Sequence, residues 1–296
     1  MRFWLGTHLP HWLSRVDVPL FVSRTRLQHR TTLPRARGPW ALDSGAFSEL
    51  QRYGKWTITA AQYIAFVRRC TEEIGHLQWA APMDWMTEEA VIRGGTVGRT
   101  RFVGTRLSLA EHQRRTVHNY LELRHLADDL PIVPVLQGQS IDDYKRIVDA
   151  YHRAGVDLHR EPLVGLGSVC RRQATRQVAA LVADLAATGL RLHGFGIKTA
   201  GLARHAAYLH SADSLAWSLR GRRVRPCAHG PARSEANCPQ FAVAWRARVL
   251  AAAAHPQLDL LAETGVLDSW ADRAEVLWSN RPLATWPGPV DAGAGT

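Results

Sequence analysis

Along the chain, short apolar runs alternate with longer stretches in which apolar residues return every three or four positions. The runs fall at 2–6, 18–23, 39–43, 77–82, 132–136, 163–167 and 191–195, and each predicts a β-strand. Several of the intervals predict helices. Tyr63, Phe66, Val67, Cys70 and Ile74 share one helical face, as do Ile141, Tyr144, Ile147, Val148 and Tyr151, and likewise Val178, Leu181, Val182 and Leu185. The stretch "SLAE" at 108–111 is a capping box that opens a further, arginine-rich helix. No internal repeat is present, and the only low-complexity segment is a small flexible tail, 286–296, containing "PGPVDAGAGT".

Repeated strand-then-helix units imply a parallel sheet. Seven or eight of them in about 250 residues fit an α/β protein of the (β/α)8 TIM-like barrel type, with a doubly wound open sheet as the alternative. In a barrel, residues just past the strand C-termini face the active site, so the polar residues there are the ones to inspect.

Composition narrows the class. The chain has 296 residues and 46% hydrophobic content, enough for a packed core and too much for a disordered protein. No run approaches the roughly 18 apolar residues of a membrane span. The opening "MRFWLGTHLPHW" lacks the apolar core and cleavage site of a signal peptide, so an intracellular, cytoplasmic protein with no membrane partner is expected. Cys70, Cys170, Cys227 and Cys238 are too few for a disulfide scaffold and read as thiols or metal ligands. For Cys170 the reading is a small apolar residue near a strand end.

The 37 Lys and Arg against 26 Asp and Glu give a net charge of +11, nearly all of it from arginine. Arginines cluster at 23–37, 170–176 and 220–225. One cluster reads equally well as a solvated surface; three together point to nucleic acid.

The candidate strands end in a repeated way: "LDSGAF" with Asp43, "APMDW" with Asp84, "PVLQGQ" with Gln137 and Gly138, "VGLGSV" with Gly167, "HGFGIK" with Gly194, and "SADSLAW" with Asp213. A lone Asp after a strand is ordinarily a turn former or helix cap. Six such ends together describe a pocket with carboxylates, an amide and exposed backbone. That pocket suits a purine: a carboxylate accepts from N1–H and the 2-amino group of guanine, an amide meets O6 and N7, and an aromatic stacks on the ring. Two further carboxylates can then work on a glycosidic bond.

A second concentration is "CAHGPARSEANC", with Cys227, His229 and Cys238, followed by His255 near the end of a helical stretch. Sulfur and imidazole ligands in a reducing compartment predict a structural zinc ion. For His255 a plain helix-terminal role is the alternative. The expected organisation is a catalytic barrel over 1–220, a zinc-binding subdomain with closing helices over 221–285, and the tail.

The ordered set "LDSGAF", "PMDW", "VLQGQ", "GLGS", "HGFGIK" and a late Cys/His cluster resembles the tRNA-guanine transglycosylase superfamily, and most closely its deazapurine DNA modification branch, DpdA, found in phages and bacterial genomic islands. The resemblance runs from about residue 2 to 256. It implies a (β/α)8 barrel with a zinc subdomain and a pentosyltransferase that exchanges guanine in DNA for a free 7-deazaguanine base, such as the 7-cyano form. It implies a covalent glycosyl-enzyme intermediate and a single-stranded or flipped target base. A homodimer or an accessory protein that opens the duplex remains an open partner. Carried over by position, Asp43 matches the family's catalytic-site aspartate, Phe47 stacks on the base beside Ser44, and Asp84 reads the base edge. Gln137 and Gly167 match the amide contacts to the purine, and Gly138, His193 and Gly194 complete the substrate-binding set. Three departures stand out: the zinc loop reads C-x-H-x8-C, His193 replaces a base-sandwiching methionine, and the chain is short for a tRNA enzyme. Without gaps the nucleophile position falls on Ala216; Asp213 lies three residues earlier, nearly one helical turn, and is assigned the role with Asp43 as the alternative. The same chemistry on tRNA, or a barrel that only binds nucleic acid, are the alternative functions.

Overall fold

The computed structural model describes residues 1–168, 176–197, 202, 205–224 and 234–254. All lie in one compact unit, Met1–Pro256; the second unit, Gln257–Thr296, falls outside the described residues, as do Cys170, Cys227, His229, His255 and the tail.

The chain begins with β1 (Arg2–Thr7), β2 (Leu20–Ser23), α1 (Arg24–Leu27) and β3 (Trp40–Asp43). It continues through α2 (Ala46–Tyr53), α3 (Ala60–Glu73), β4 (Leu77–Ala80) and α4 (Glu89–Arg93) to a small hairpin, β5 (Gly95–Val97) and β6 (Thr100–Phe102). Then follow α5 (Leu109–Leu126), β7 (Val135–Leu136), α6 (Ile141–Arg153), β8 (Val164–Leu166), α7 (Arg176–Ala187), β9 (Leu192–Gly194) and β10 (Ser211–Ser214). Two later helices are Ala216–Gly221 and Pro239–Ala253.

Eight strands form one parallel sheet in the order β4-β3-β2-β1-β10-β9-β8-β7. The sheet curls. Its two ends meet where Ala80 of β4 bridges in parallel to Ile132, just ahead of β7: Ala80 N donates to Pro131 O at 2.9 Å and Val133 N donates to Ala80 O at 3.1 Å. This is the connectivity of a TIM-like sheet. Every predicted strand overlaps an observed one. The eighth, β10, was not among them.

Both faces of the strands are buried, as parallel sheets require. Phe3 and Leu5, Leu20 and Val22, and Trp40 and Leu42 pack outward against the helices. The alternate positions Trp4, Phe21, Ala41 and Trp79 meet Val133 and Leu163 in a separate inner cluster. The predicted apolar faces of α3, α6 and α7 are the ones that cover the sheet. Ser108 caps α5 as expected, accepting from Glu111 N at 3.1 Å.

The period of two decides what reaches the C-terminal end of the sheet. Stepping two residues on from inward Ala41 gives Asp43, the last residue of β3. On β10, Asp213 is in register with inward Trp4. The small inner residues matter too: a Cβ on Gly165 would lie 2.5 Å from the Phe195 ring, so the tightly filled interior requires glycine there.

Candidate active site

Asp43 ends β3 and is held by the turn that follows it. Gly45 N donates to Asp43 Oδ1 at 3.1 Å. Gly45 has φ +84°, and a Cβ there would sit 2.8 Å from Thr25 Cγ2, so the site needs glycine twice over. Behind the turn, buried Arg24 donates through Nε to Ser44 O at 2.8 Å and pairs with buried Glu49 at 2.5 Å. Glu49 Oε2 in turn accepts from Thr57 N and Oγ1. A fully engaged buried pair of this kind fixes geometry. Burial raises the Asp43 pKa, and the neighbouring Asp213 carboxylate raises it further, against the opposing pull of the Ser23 hydroxyl, Gly45 N–H and Arg24.

Asp213 lies in a strand, not a helix, so the expected near-turn shift is corrected: it reaches the site because β10 delivers it there. Gly196 N donates to its Oδ1 at 2.8 Å. His193 Nε2 stands 3.4 Å from the same oxygen, while Nδ1 bonds Ser211 Oγ at 2.9 Å. The imidazole is fully buried, edge-on to Trp79 at 4.6 Å and to Phe195 at 4.7 Å. Nε2 makes no hydrogen bond among the described residues, and the buried ring offers no face to a base.

Asp84 sits in the loop after β4, and one face of α5 holds that loop. Met83 N donates to Asn119 Oδ1 at 3.0 Å, Trp85 N donates to Thr116 Oγ1 at 2.9 Å, and His112 Nδ1 bonds Met86 O at 2.6 Å. The spacing of four and three places these side chains in one row along the helix. Gln137 Nε2 donates to Asp84 Oδ2 at 2.5 Å. Burial, then the charges of Asp43 and Glu88, push the Asp84 carboxyl up to about 7 despite the Gln137 bond.

Gln137 follows β7 and its amide orientation is set from both ends. Its Oε1 accepts from Ser168 Oγ at 2.6 Å, and its backbone O accepts from Gln113 Nε2 at 2.7 Å. Ser168 Oγ also lies 2.9 Å from Glu88 Oε2 and accepts from Thr87 N at 3.0 Å. Gly167 is needed for space, since a Cβ would fall 2.3 Å from Gln137 Nε2. Its N–H is engaged with Leu136 O at 2.9 Å and its O accepts from Tyr144 at 2.6 Å, so it supplies room to the pocket and no free N–H. Gly138 and Gly194 are likewise closely packed, a Cβ meeting Asp143 at 2.8 Å and Ile197 at 2.2 Å. Ser44 is buried with no hydrogen-bond partner for its Oγ among the described residues. Phe47 is 39% exposed and stands edge-on to Phe102 at 5.7 Å.

The Asp213 charge thus acts on Asp43, and that of Asp43 on Asp84, across the ends of β3, β10 and the β4 loop, with an oriented amide beside Asp84. A family model described as DpdA, DeoxyPurine in DNA protein A, matches residues 1–281. The chain belongs to the DpdA family. No curated protein matches it. Membership makes this chain a DNA-modification protein of transglycosylase-like type.

In this DpdA chain the sequence motifs held Asp43, Asp84, Gln137 and Asp213, and the structure brings these four together. Sequence reasoning missed Arg24, Glu88, His112, Gln113, Thr116 and Asn119; Ser168 stood out only as a polar residue at a strand end. The signal available for the helix was a polar row at 112, 116 and 119 on an otherwise buried face that also holds Val117, Tyr120 and Leu123. Of the expected metal ligands only Cys238 is described; its Sγ accepts from Phe241 N at 3.4 Å as the cap of Pro239–Ala253. Among the described residues no group of three His, Cys, Asp or Glu side chains is poised around a common metal position. Nor is any described helix long and apolar enough to cross a membrane.

Proposed function

We propose that this protein is a pentosyltransferase that replaces guanine in DNA with a 7-deazaguanine base, on a (β/α)8 barrel formed by the curled sheet. The observation that carries the reading is the set of three carboxylates at the strand ends, Asp43 closing β3, Asp213 on β10 and Asp84 after β4, with Gln137 bonded to Asp84. Asp84 accepts from the N1–H and 2-amino group of the purine, and Gln137 keeps an N–H for O6 because its oxygen is committed to Ser168.

In the first displacement an Asp213 oxygen bonds C1′ as the C1′–N9 bond breaks, and Asp43 gives a proton to the departing guanine. The raised pKa of Asp43 suits a group that carries that proton. In the second, N9 of the incoming base loses its proton to Asp43 and attacks C1′, releasing Asp213. Protons and bonds balance over the cycle, and no redox cofactor or nucleotide triphosphate enters. The target base must leave the stack to reach the strand ends.

The test is exchange. Purified protein with radiolabelled guanine, or with 7-cyano-7-deazaguanine, should place label in DNA and leave tRNA unlabelled. Label in tRNA alone overturns the choice of polynucleotide, and binding of DNA without label in either overturns catalysis.

We also read Cys238, with Cys227, His229 and His255, as the holders of one structural zinc ion, which would cross-link the segment after β10 and take no part in the chemistry. The support is local: the Cys238 sulfur caps a helix N-terminus, a position that favours the thiolate zinc requires. Elemental analysis should give about one zinc per chain. Full zinc content in folded Cys238→Ser would remove Cys238 from the set.

A further inference from the structure

The β5–β6 hairpin is anchored at its root and, among the described residues, stands open at its tip. Phe102 is buried with Leu50, Trp85 and Val91, and Val103 N donates to Gln51 O at 3.0 Å. At the root the two chains approach so closely that a Cβ on Gly104 would lie 2.6 Å from Gly94 N. Beyond it every residue of β5 is exposed, Val97 by 47%, and a Cβ on Gly95 or Gly98 would meet nothing within 4 Å. An isolated two-stranded hairpin gains little stability in water, so its outer half has no structural reason to exist.

Its charge supplies a reason. Arg99, Arg101 and Arg106 are exposed, and no ion pair engages them among the described residues, whereas Arg93 is matched with Glu89 at 3.2 Å. Beside the hairpin lies a cavity of about 500 Å³ lined by Glu88, Arg93, Val97, Gln139 and Ser168 among others. Ser168 is the residue that orients Gln137, so this cavity abuts the candidate purine site. Unmatched guanidiniums on an arm next to that opening fit a polyanion, and an exposed apolar tip beside them fits a side chain that props a base step.

We propose that the β5–β6 hairpin and the segment just past its root form a DNA-gripping surface, in which Arg99 and Arg101 on the hairpin and Arg106 beyond it take phosphates flanking the extruded purine and Val97 abuts the neighbouring base. The inference rests on the reading of DNA as substrate and names the surface that holds it.

The test is salt-dependent binding of a fluorescent single-stranded DNA oligonucleotide to the full chain, with a matched RNA in parallel. The Arg99→Ala/Arg101→Ala/Arg106→Ala variant should bind DNA at least tenfold more weakly, with a log–log salt slope flatter by about two, since each lost phosphate contact removes about 0.7 from it. Arg→Lys at the same positions should restore the slope, because Lys keeps the charge. Val97→Ser should weaken binding without changing the slope. Wild-type slope in a folded triple-alanine variant, or wild-type affinity in Val97→Ser, overturns the arm while leaving DNA as substrate. Slope changes with RNA only overturn the choice of DNA. A wild-type protein that binds no DNA at low salt overturns the substrate reading and the arm with it.

Discussion

Asp213→Asn lowers base exchange by about a thousandfold or more, because it removes the atom that bonds C1′ while leaving the amide oxygen to accept from Gly196 N. The wild-type protein, given DNA and no incoming base, accumulates a covalent protein–DNA adduct, and peptide mapping places it on the β10 peptide that contains Asp213. The Asn variant forms none. Asp43→Asn also loses exchange, through the missing proton carrier, yet retains a slow adduct if the leaving group has any other proton source. An adduct on Asp43, or one that survives Asp213→Asn, exchanges the two roles. This experiment separates the two roles: the Asp213 charge strengthens the hold of Asp43 on a proton, which suits Asp43 to carry one.

Asp84→Asn costs at least the roughly 1 to 3 kcal/mol of a good bidentate base contact, and more at a buried site where the purine's donors are left unmatched. Because the wild-type carboxyl titrates near 7, apparent affinity for the free base falls as pH drops below that value, by up to about tenfold per unit; the Asn variant loses this slope. Stability runs the other way. The folded-state pKa lies above the ordinary 3.8, so the folded protein binds more protons between about pH 4 and 7 and becomes less stable as pH rises through that window, by up to about 1.4 kcal/mol per unit. Asp84→Asn removes that contribution, so at pH 8 it should melt higher than wild type while exchanging bases poorly. Exchange by Asp84→Asn at the wild-type rate, with unchanged selectivity against hypoxanthine, would remove Asp84 from base reading. Function and stability moving in opposite directions is the signature of a buried charge kept for a ligand.

The strands were legible because alternate buried faces give nearly continuous apolar runs, and the carboxylates were legible because they interrupt those runs at one end. β10 escaped notice for the complementary reason. "SADS" turns Ser211 and Asp213 inward and is only four residues long, so its inner face carries the site's polar groups instead of a hydrophobic signal. The β5–β6 hairpin left no apolar alternation because its outer strand packs on nothing. His193 looked like a stacking surface by position, yet the interior aromatic cluster encloses it completely. The support for Asp84 was hidden for a different reason. A side chain that bonds loop backbone needs only a donor or acceptor at the right place, so Asn119, Thr116 and His112 read as ordinary helix polarity until the loop is folded against them.

That same helix ties two recognition groups to one rod. Gln113 bonds the backbone of Gln137, and its neighbours in the row hold the chain on either side of Asp84, so about two turns of α5 span both halves of the base-reading edge. Thermal motion that carries one of these groups carries the other with it, and the spacing between them has the stiffness of a helix, where two independent loops would drift apart. In the proposed exchange this would insulate fidelity from the mobility that extrusion of a base demands elsewhere: the polynucleotide could shift at the rim of the sheet while the ruler that measures the purine kept its length.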